Sequence, residues 1–483
     1  MPYLSDKPLG EDAYYMIAIG WHLGTGRGFT YGGEPTTGTQ PLMTLVYGAV
    51  ARASRAAGGD RWTFARAALA LNGVLFVAFW AVTYRLARTL QPDGDRSAIA
   101  ATTAALTLFD YSLFRVFTYG LETGLYLLIA GACVAASLDI MQRRQTTGGV
   151  VFLGVLAGLA ALARIDFLIV FAMFMGVALV RRRVTFRQCL AAGATAGVVT
   201  SPWFLWVHHV SGRWMPSSGE SQAQVIAATS AGPRLHAAVT AVGHHLAPWF
   251  YPELVASGGG RTIALVVAIA LIAAATPLLV RAAQSAKPGA REILLMWAAA
   301  IAGLIAVYVV FFWPTYFYVR YSSPAAIVAI PMLAIGLASV VSGTRRSAIL
   351  PAAAAGFLLT AVVTLHRGAA GNSLSTTARF IDESIARDVH VGAFSSGVSG
   401  YYFDNVTNLD GKVNAAAMRA RREGRLGRYI NESDISILVD WPETIEQFVS
   451  PDYLAACWQP CAETLRPEQG RCFVRRRCQA LSW

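Results

Sequence analysis

Long stretches without a single Asp, Glu, Lys or Arg dominate this chain. Seven of them cover residues 67–84, 145–163, 188–207, 262–280, 293–313, 322–344 and 347–365. A bilayer core takes roughly 20 apolar residues per spanning helix, and these runs match that length. The shorter runs 97–109, 123–138 and 167–180 read the same way, because the connections between them leave no room for a soluble domain. The pattern predicts ten membrane-spanning helices. Residues 35–51 are also uncharged, but Pro35, Gly38, Gln40 and Pro41 suit a turn followed by an interfacial helix better than an eleventh span.

Composition agrees with lipid as the solvent. Of the 483 residues 55% are hydrophobic and 14% charged, more apolar surface than a soluble domain of ordinary composition buries. The formal charge of +12 raises the question of a nucleic-acid partner, and the placement of the basic residues answers it. Arg85, Arg88 and Arg96, then Arg143 and Arg144, Arg181 to Arg183 with Arg187, Arg281 with Lys287 and Arg291, and Arg345 with Arg346 all fall in alternate short loops. The basic-rich side of a membrane protein is the cytoplasmic side, so this excess orients the chain and calls for no nucleic acid. Residues 1–61, the loop of about 209–260 and residues 367–483 are then extracytoplasmic, around a transmembrane unit of residues 62–366. The expected location is the cell membrane, multi-pass, with the C-terminus outside.

Residues 1–12 lack the apolar core of a cleavable signal peptide. An exported segment of this length ordinarily follows a membrane-inserting helix. Either the tail crosses with the first hairpin or a further helix precedes Met1, and the second is the favoured expectation.

The exported segments carry the candidate chemistry. Glu11 and Asp12 open a stretch expected to form an amphipathic helix; an acidic pair there is favoured by the helix dipole, or serves as a carboxylate that orients or deprotonates a hydroxyl. Cys133 and Cys189 lie in apolar runs as small core residues, whereas Cys457, Cys461, Cys472 and Cys478 cluster on the oxidising side. Two disulfides are expected, in one of three connectivities; the spacing suits a zinc site poorly. Asp110 and Arg115 are expected to pair. The doublets His208-His209 and His244-His245 are weak metal candidates, and Trp214, Trp249, Phe250 and Tyr251 suit a membrane-interface belt as well as sugar stacking. Toward the C-terminus, strand-like runs at 389–394 and 435–441 with a Gly-rich turn at 397–400 predict an α/β domain that positions an acceptor. The full dinucleotide fingerprint is absent.

Several motifs together resemble a known family. Glu11-Asp12-Ala13-Tyr14-Tyr15, Gly24-x-Gly26-x-Gly28-Phe29 and Gly38-Thr39-Gln40-Pro41-Leu42 resemble the first external loop of GT-C class membrane glycosyltransferases, in particular the bacterial arabinofuranosyltransferase-like and protein-mannosyltransferase-like group. Gly120-Leu121-Glu122-Thr123, Leu162-Ala163-Arg164-Ile165-Asp166, Arg320-Tyr321 with Pro324, Ser399-Gly400-Tyr401-Tyr402 and Leu409-Asp410-Gly411 extend the likeness nearly end to end. Glu11 stands where the family has its first aspartate, Ile165 replaces a proline and Gln40 an asparagine. Members carry one helix before this loop, so the intact family implies about eleven spans.

The resemblance implies a transferase that moves a sugar from a polyprenyl-phosphate donor to a hydroxyl of a glycan, lipid or protein acceptor outside the cell. Asp12, with Glu11, would be the catalytic carboxylate. Arg164 and Arg320 would hold the donor phosphate, or pair with Asp166 and Glu122 to lock the helices. Tyr15, Arg27, Glu122 and Asp166 are further substrate-site candidates, and a divalent metal is an open accessory. Two rivals share the topology: a secondary transporter or lipid flippase, which would place ionisable or broken-helix sites near the midplane, and a non-catalytic glycan-binding envelope assembly protein.

Overall fold

A computed structural model describes residues 9–142, 146–219, 235, 239–240, 260–311, 319–341, 345–368, 374–461 and 471–476. Helix α1 (Glu11–Gly24) leads into a two-stranded hairpin, β1 (Thr30–Tyr31) and β2 (Glu34–Pro35), and then α2 (Pro41–Ala56). The helices α3 (Arg61–Leu90), α4 (Arg96–Thr107), α5 (Tyr111–Thr118), α6 (Thr123–Gln142), α7 (Thr147–Ala163), α8 (Phe167–Val180) and α9 (Phe186–Ser211) follow, then α10 (Gly260–Ser285), α11 (Pro288–Val310), the single turn α12 (Val319–Ser322), α13 (Pro324–Val340) and α14 (Arg345–Gly368). Among the described residues, each of the ten uncharged runs thus overlaps a helix. Five of these helices are long and apolar enough to cross a bilayer alone, α3, α6, α9, α10 and α11, and α4 with α5 makes a sixth if their 62° bend lies within one span. The shorter apolar helices lie at 147–163, 167–180, 324–340 and 347–362.

Small residues let α7 and α9 pack closely. A Cβ on Gly154 of α7 would lie 2.4 Å from the Ala192 carbonyl of α9, and one on Gly158 2.6 Å from Val199. Without side chains at these two positions the backbones approach closely enough for dispersion and weak hydrogen bonds to hold helices together in lipid. Trp297 of α11 stacks on Phe174 of α8 at 4.0 Å and donates its indole N–H to Ser137 of α6, so a buried polar atom is satisfied inside the bundle.

The two ends of the bundle differ. Arg85 pairs with Asp139 at 2.7 Å, Arg183 pairs with Glu292, and the Lys287 N–H donates to the Leu90 carbonyl, gathering the basic loops at one end. At the other end the Tyr47 hydroxyl donates to the Gly120 carbonyl and the Gly10 N–H to that of Tyr119. Here α1 departs from the expected amphipathic surface helix. Residues 13–22 are all buried, because α2, α3 and the C-terminal region enclose these turns of α1.

After α15 (Leu374–Ser384), the elements β3 (Val391–Ala393), α16 (Gly397–Tyr402), β4 (Val406–Asn408), α17 (Ala415–Arg422), α18 (Leu426–Glu432), β5 (Ile437–Asp440), α19 (Pro442–Phe448), α20 (Pro451–Cys457), β6 (Trp458–Pro460) and β7 (Arg471–Arg475) build a five-stranded sheet of order β4-β3-β5-β7-β6. Strands β4, β3 and β5 are parallel; β7 and β6 run antiparallel. Phe394, Leu409, Leu438, Trp458 and Phe473 form a core under this sheet. Both strand-like runs of the sequence are present, but the expected Gly-rich turn is the short helix α16, whose N-terminus needs small residues for a reason given below. Cys461 and Cys472 form a disulfide beside the β6–β7 pair, with Cα atoms 5.3 Å apart. Cys457 is disulfide-bonded as well, and Cys478 lies outside the described residues.

The expected pair of Asp110 and Arg115 does not form. Asp110 is buried and caps α5 by accepting the Leu113 N–H, while the Arg115 guanidinium lies over the Tyr119 ring. Four to five residues apart at a helix start, the cap competes with the ion pair and satisfies an otherwise orphaned N–H.

Candidate active site

The two adjacent carboxylates of α1 point to different partners. One Glu11 oxygen accepts the Gly397 N–H and the other the Val398 N–H at 3.3 Å, so Glu11 meets the first turn of α16. A Cβ on Gly397 would stand 2.3 Å from the Glu11 carbonyl oxygen, which is why this approach needs glycine. Burial pushes the Glu11 carboxyl up to about 8, against the lowering by Gly397, Lys412 and Val398. The group is therefore mostly protonated at neutral pH.

Asp12 faces two cations. Lys412 Nζ lies 3.2 Å from Oδ1 and an Arg320 terminal nitrogen 3.6 Å from Oδ2. Lys412, opposed by desolvation and helped by Arg320, holds the Asp12 carboxyl below its ordinary range. The side chains of Asp12, Lys412 and Arg320 are 31%, 30% and 17% exposed, so a ligand reaches them. Lys412 also lies 3.5 Å from the buried carboxylate of Asp410. These two acidic neighbours raise the Lys412 ammonium above its usual range, Asp12 most.

Arg320 donates to the Tyr321 hydroxyl at 3.2 Å, and its guanidinium lies 5.1 Å from that ring's centre. Arg164 lies 5.2 Å from the same ring. Of the two uses left open for Arg164, the structure displays the pairing: its terminal nitrogens meet Glu122 at 3.1 Å and Asp166 at 2.6 Å, and it donates to the Tyr308 hydroxyl, which itself donates to Asp166. All three charged side chains are nearly buried, at 8%, 7% and 13% exposure. Glu122 and Asp166 therefore serve as counterions that join the starts of α6 and α8 to the end of α7, and Arg164 has its charge already matched.

Tyr15 and Arg27 also turn toward protein. The Tyr15 hydroxyl donates to the Phe394 carbonyl and accepts the Ser396 N–H, and Tyr31 donates to the Ser396 carbonyl at 2.7 Å. Arg27 lies 3.8 Å from Asp404, which Arg61 holds at 2.7 Å. Asp440 fixes the receiving turn from behind by accepting the N–H groups of Phe394, Ser395 and Trp441. Burial lifts its carboxyl to about 6. Together these contacts dock the C-terminal sheet onto α1.

Lys412 went unremarked at the sequence level, although it directly follows the motif residue Gly411, and Tyr321 was noted only as part of the Arg320-Tyr321 motif, without a role of its own. His208 stacks on Trp214 at 4.5 Å; His244, His245, Trp249, Phe250 and Tyr251 lie outside the described residues. Among the described residues no group of three or more His, Cys, Asp or Glu side chains has metal-ligand geometry. A recess of about 440 Å³ lined by Gln91, Gln284, Lys287 and Arg291 lies at the opposite, basic end of the bundle, away from Asp12.

No family model matches the chain, and no curated protein is similar to it in sequence. Solved structures are similar in fold. ArnT from Cupriavidus metallidurans in the apo state superposes with a TM-score of 0.57 at 13% identity, over 96% of this chain and 92% of that one. The same protein bound to undecaprenyl phosphate gives 0.57 at 15% identity, over 96% and 93%. The Archaeoglobus fulgidus oligosaccharyltransferase tethered to an acceptor peptide containing the NVT sequon gives 0.52 at 12% identity, over 99% of this chain and 71% of that one. The chain has the fold of GT-C class membrane glycosyltransferases.

Proposed function

We propose that this GT-C-folded chain transfers a sugar from a polyprenyl-phosphate donor to a hydroxyl of a cell-envelope acceptor, at the extracytoplasmic face of the cell membrane. The observation that carries the reading is Asp12, an ionised and accessible carboxylate beside the Arg320 guanidinium at the end of the bundle opposite the basic loops. In this mechanism the acceptor oxygen forms a bond to the anomeric carbon while the bond from that carbon to the donor phosphate oxygen breaks. The phosphate departs with the electron pair, as polyprenyl monophosphate, and the hydroxyl proton passes to an Asp12 carboxylate oxygen. Arg320 meets the charge developing on the leaving phosphate, and Tyr321 orients the guanidinium. The side-chain cations match the charge of the phosphate, so the proposed step is written without a metal.

The undecaprenyl phosphate bound by the Cupriavidus protein supports the donor class, and the acceptor peptide tethered to the Archaeoglobus enzyme supports a separate acceptor on this fold. The test is transfer by reconstituted protein from labelled polyprenyl-phosphate sugars to envelope acceptors. Asp12→Asn removes the base without changing size, and the expected loss is about 10²-fold or more. Unchanged transfer by this variant overturns the assignment of Asp12, and no donor consumption by wild type overturns the enzyme reading.

A further inference from the structure

Lys412 belongs to the C-terminal sheet domain yet ends at the carboxylate of α1, 400 positions earlier in the chain. Its backbone is set from three directions. The Lys412 N–H donates to Asp410 Oδ1 at 2.8 Å, its carbonyl accepts the Ser217 hydroxyl at 2.8 Å, and a Cβ on Gly38 would stand 1.8 Å from that carbonyl oxygen. Ser217 is in turn held by Thr37, which accepts its N–H at 3.1 Å. The loop is thus wedged between the 36–38 segment, the residues after α9 and its own strand. The side chain is less constrained: it is 30% exposed, and its ammonium meets Asp12 and Asp410.

A catalytic base that is already ion-paired has reduced basicity, and two cations on one carboxylate reduce it further. The same cations are what an arriving phosphate requires. We infer that Lys412 is a displaceable counterion: it masks Asp12 in the donor-free state and moves to the donor phosphate when that anion enters, which unmasks the carboxylate as the lysine completes the phosphate site. This deepens, and rests on, the polyprenyl-phosphate reading. Asp410, 3.5 Å from the ammonium in the donor-free state, holds the lysine near the site while it changes partner. It also gives the C-terminal domain a direct part in the donor site in addition to any acceptor contact.

The exchange makes a prediction that a merely structural lysine does not. If Asp12 and the phosphate compete for the same cations, then Asp12→Asn binds polyprenyl monophosphate severalfold more tightly than wild type while transfer is lost. Lys412→Met weakens monophosphate binding by about tenfold or more, and Lys412→Arg restores most of it. The probes are purified full-length protein, polyprenyl monophosphate without sugar, and the uncharged polyprenol as control, with binding read by quenching of intrinsic tryptophan fluorescence. Monophosphate affinity unchanged in Lys412→Met, or unchanged in Asp12→Asn, overturns the exchange while leaving the donor class intact. Equal binding of the monophosphate and polyprenol by wild type overturns the donor reading itself. Should Lys412→Met fold poorly, Asp12→Asn and Lys412→Arg decide the matter, because each keeps the polar character of its site.

Discussion

At the residue scale, the adjacent acids of α1 differ in charge because their surroundings differ. Glu11 is enclosed against the backbone of α16, and desolvation outweighs the N–H groups it accepts. Asp12 keeps solvent access and two cations. For Glu11 the folded state prefers the protonated form, with its pKa raised from 4.5 to about 8. Its contribution to stability is therefore complete below about pH 4.5 and is lost as pH rises through 8. Glu11→Gln keeps one oxygen that can accept the Gly397 N–H, gives up the acceptor for Val398, and never charges. Thermal unfolding in detergent at pH 6 and pH 9 is expected to show wild type losing melting temperature on the alkaline side and Glu11→Gln losing less; identical pH profiles would argue against a buried, titrating Glu11. The greater length of glutamate, at the position where the resembled family has its first aspartate, suits Glu11 to reach across to Gly397.

At the scale of elements, Arg164 decides how α6, α7, α8 and α11 meet above the bundle. Breaking a buried ion pair by removing one partner leaves the other charge uncompensated, at a cost of about 3–5 kcal/mol. Arg164→Met is expected to lower the melting temperature strongly, because Glu122 and Asp166 lose their shared cation, whereas polyprenyl monophosphate affinity in the protein that remains folded stays close to wild type. A large loss of affinity with an unchanged melting temperature would return Arg164 to the phosphate. Sequence places Arg164, Glu122 and Asp166 at external span ends, since each borders an uncharged run. It does not choose between phosphate and carboxylate as the arginine's partner, because that choice depends on whether α6 and α8 bring their acids to within hydrogen-bonding distance. The cap of Asp110 is similar: the residue is visible in the chain, and local backbone geometry selects its partner.

For the whole molecule, the docking of the C-terminal sheet domain onto α1 has two consequences. The Cys461–Cys472 disulfide stabilises a small domain whose sheet carries Lys412, Asp410 and Asp440 into the site region. Opening such a cross-link typically costs about 2–4 kcal/mol. Reductant is therefore expected to lower the melting transition of the full-length protein and to reduce transfer with it; an unchanged transition would mean that the sheet's core alone suffices. An oxidised pair also agrees with the orientation proposed from the basic loops. A reporter fused after the C-terminus and active only in the oxidising exterior should give signal, and an inactive reporter would invert the topology.

Sequence alone determined the positions of the apolar helices, the side on which the basic loops gather, the two strand runs of the C-terminal domain and the presence of the acidic pair Glu11 and Asp12. These are properties of contiguous segments, where twenty residues of hydrocarbon or six of alternating strand carry their own signal. Tertiary structure decided which carboxylate is charged, that Arg164 is matched by two acids, and that Lys412 stands opposite Asp12. Each of those depends on a distance of a few ångströms between segments up to 400 residues apart, and a counterion's energy falls off too steeply with distance and exposure for sequence spacing to report it.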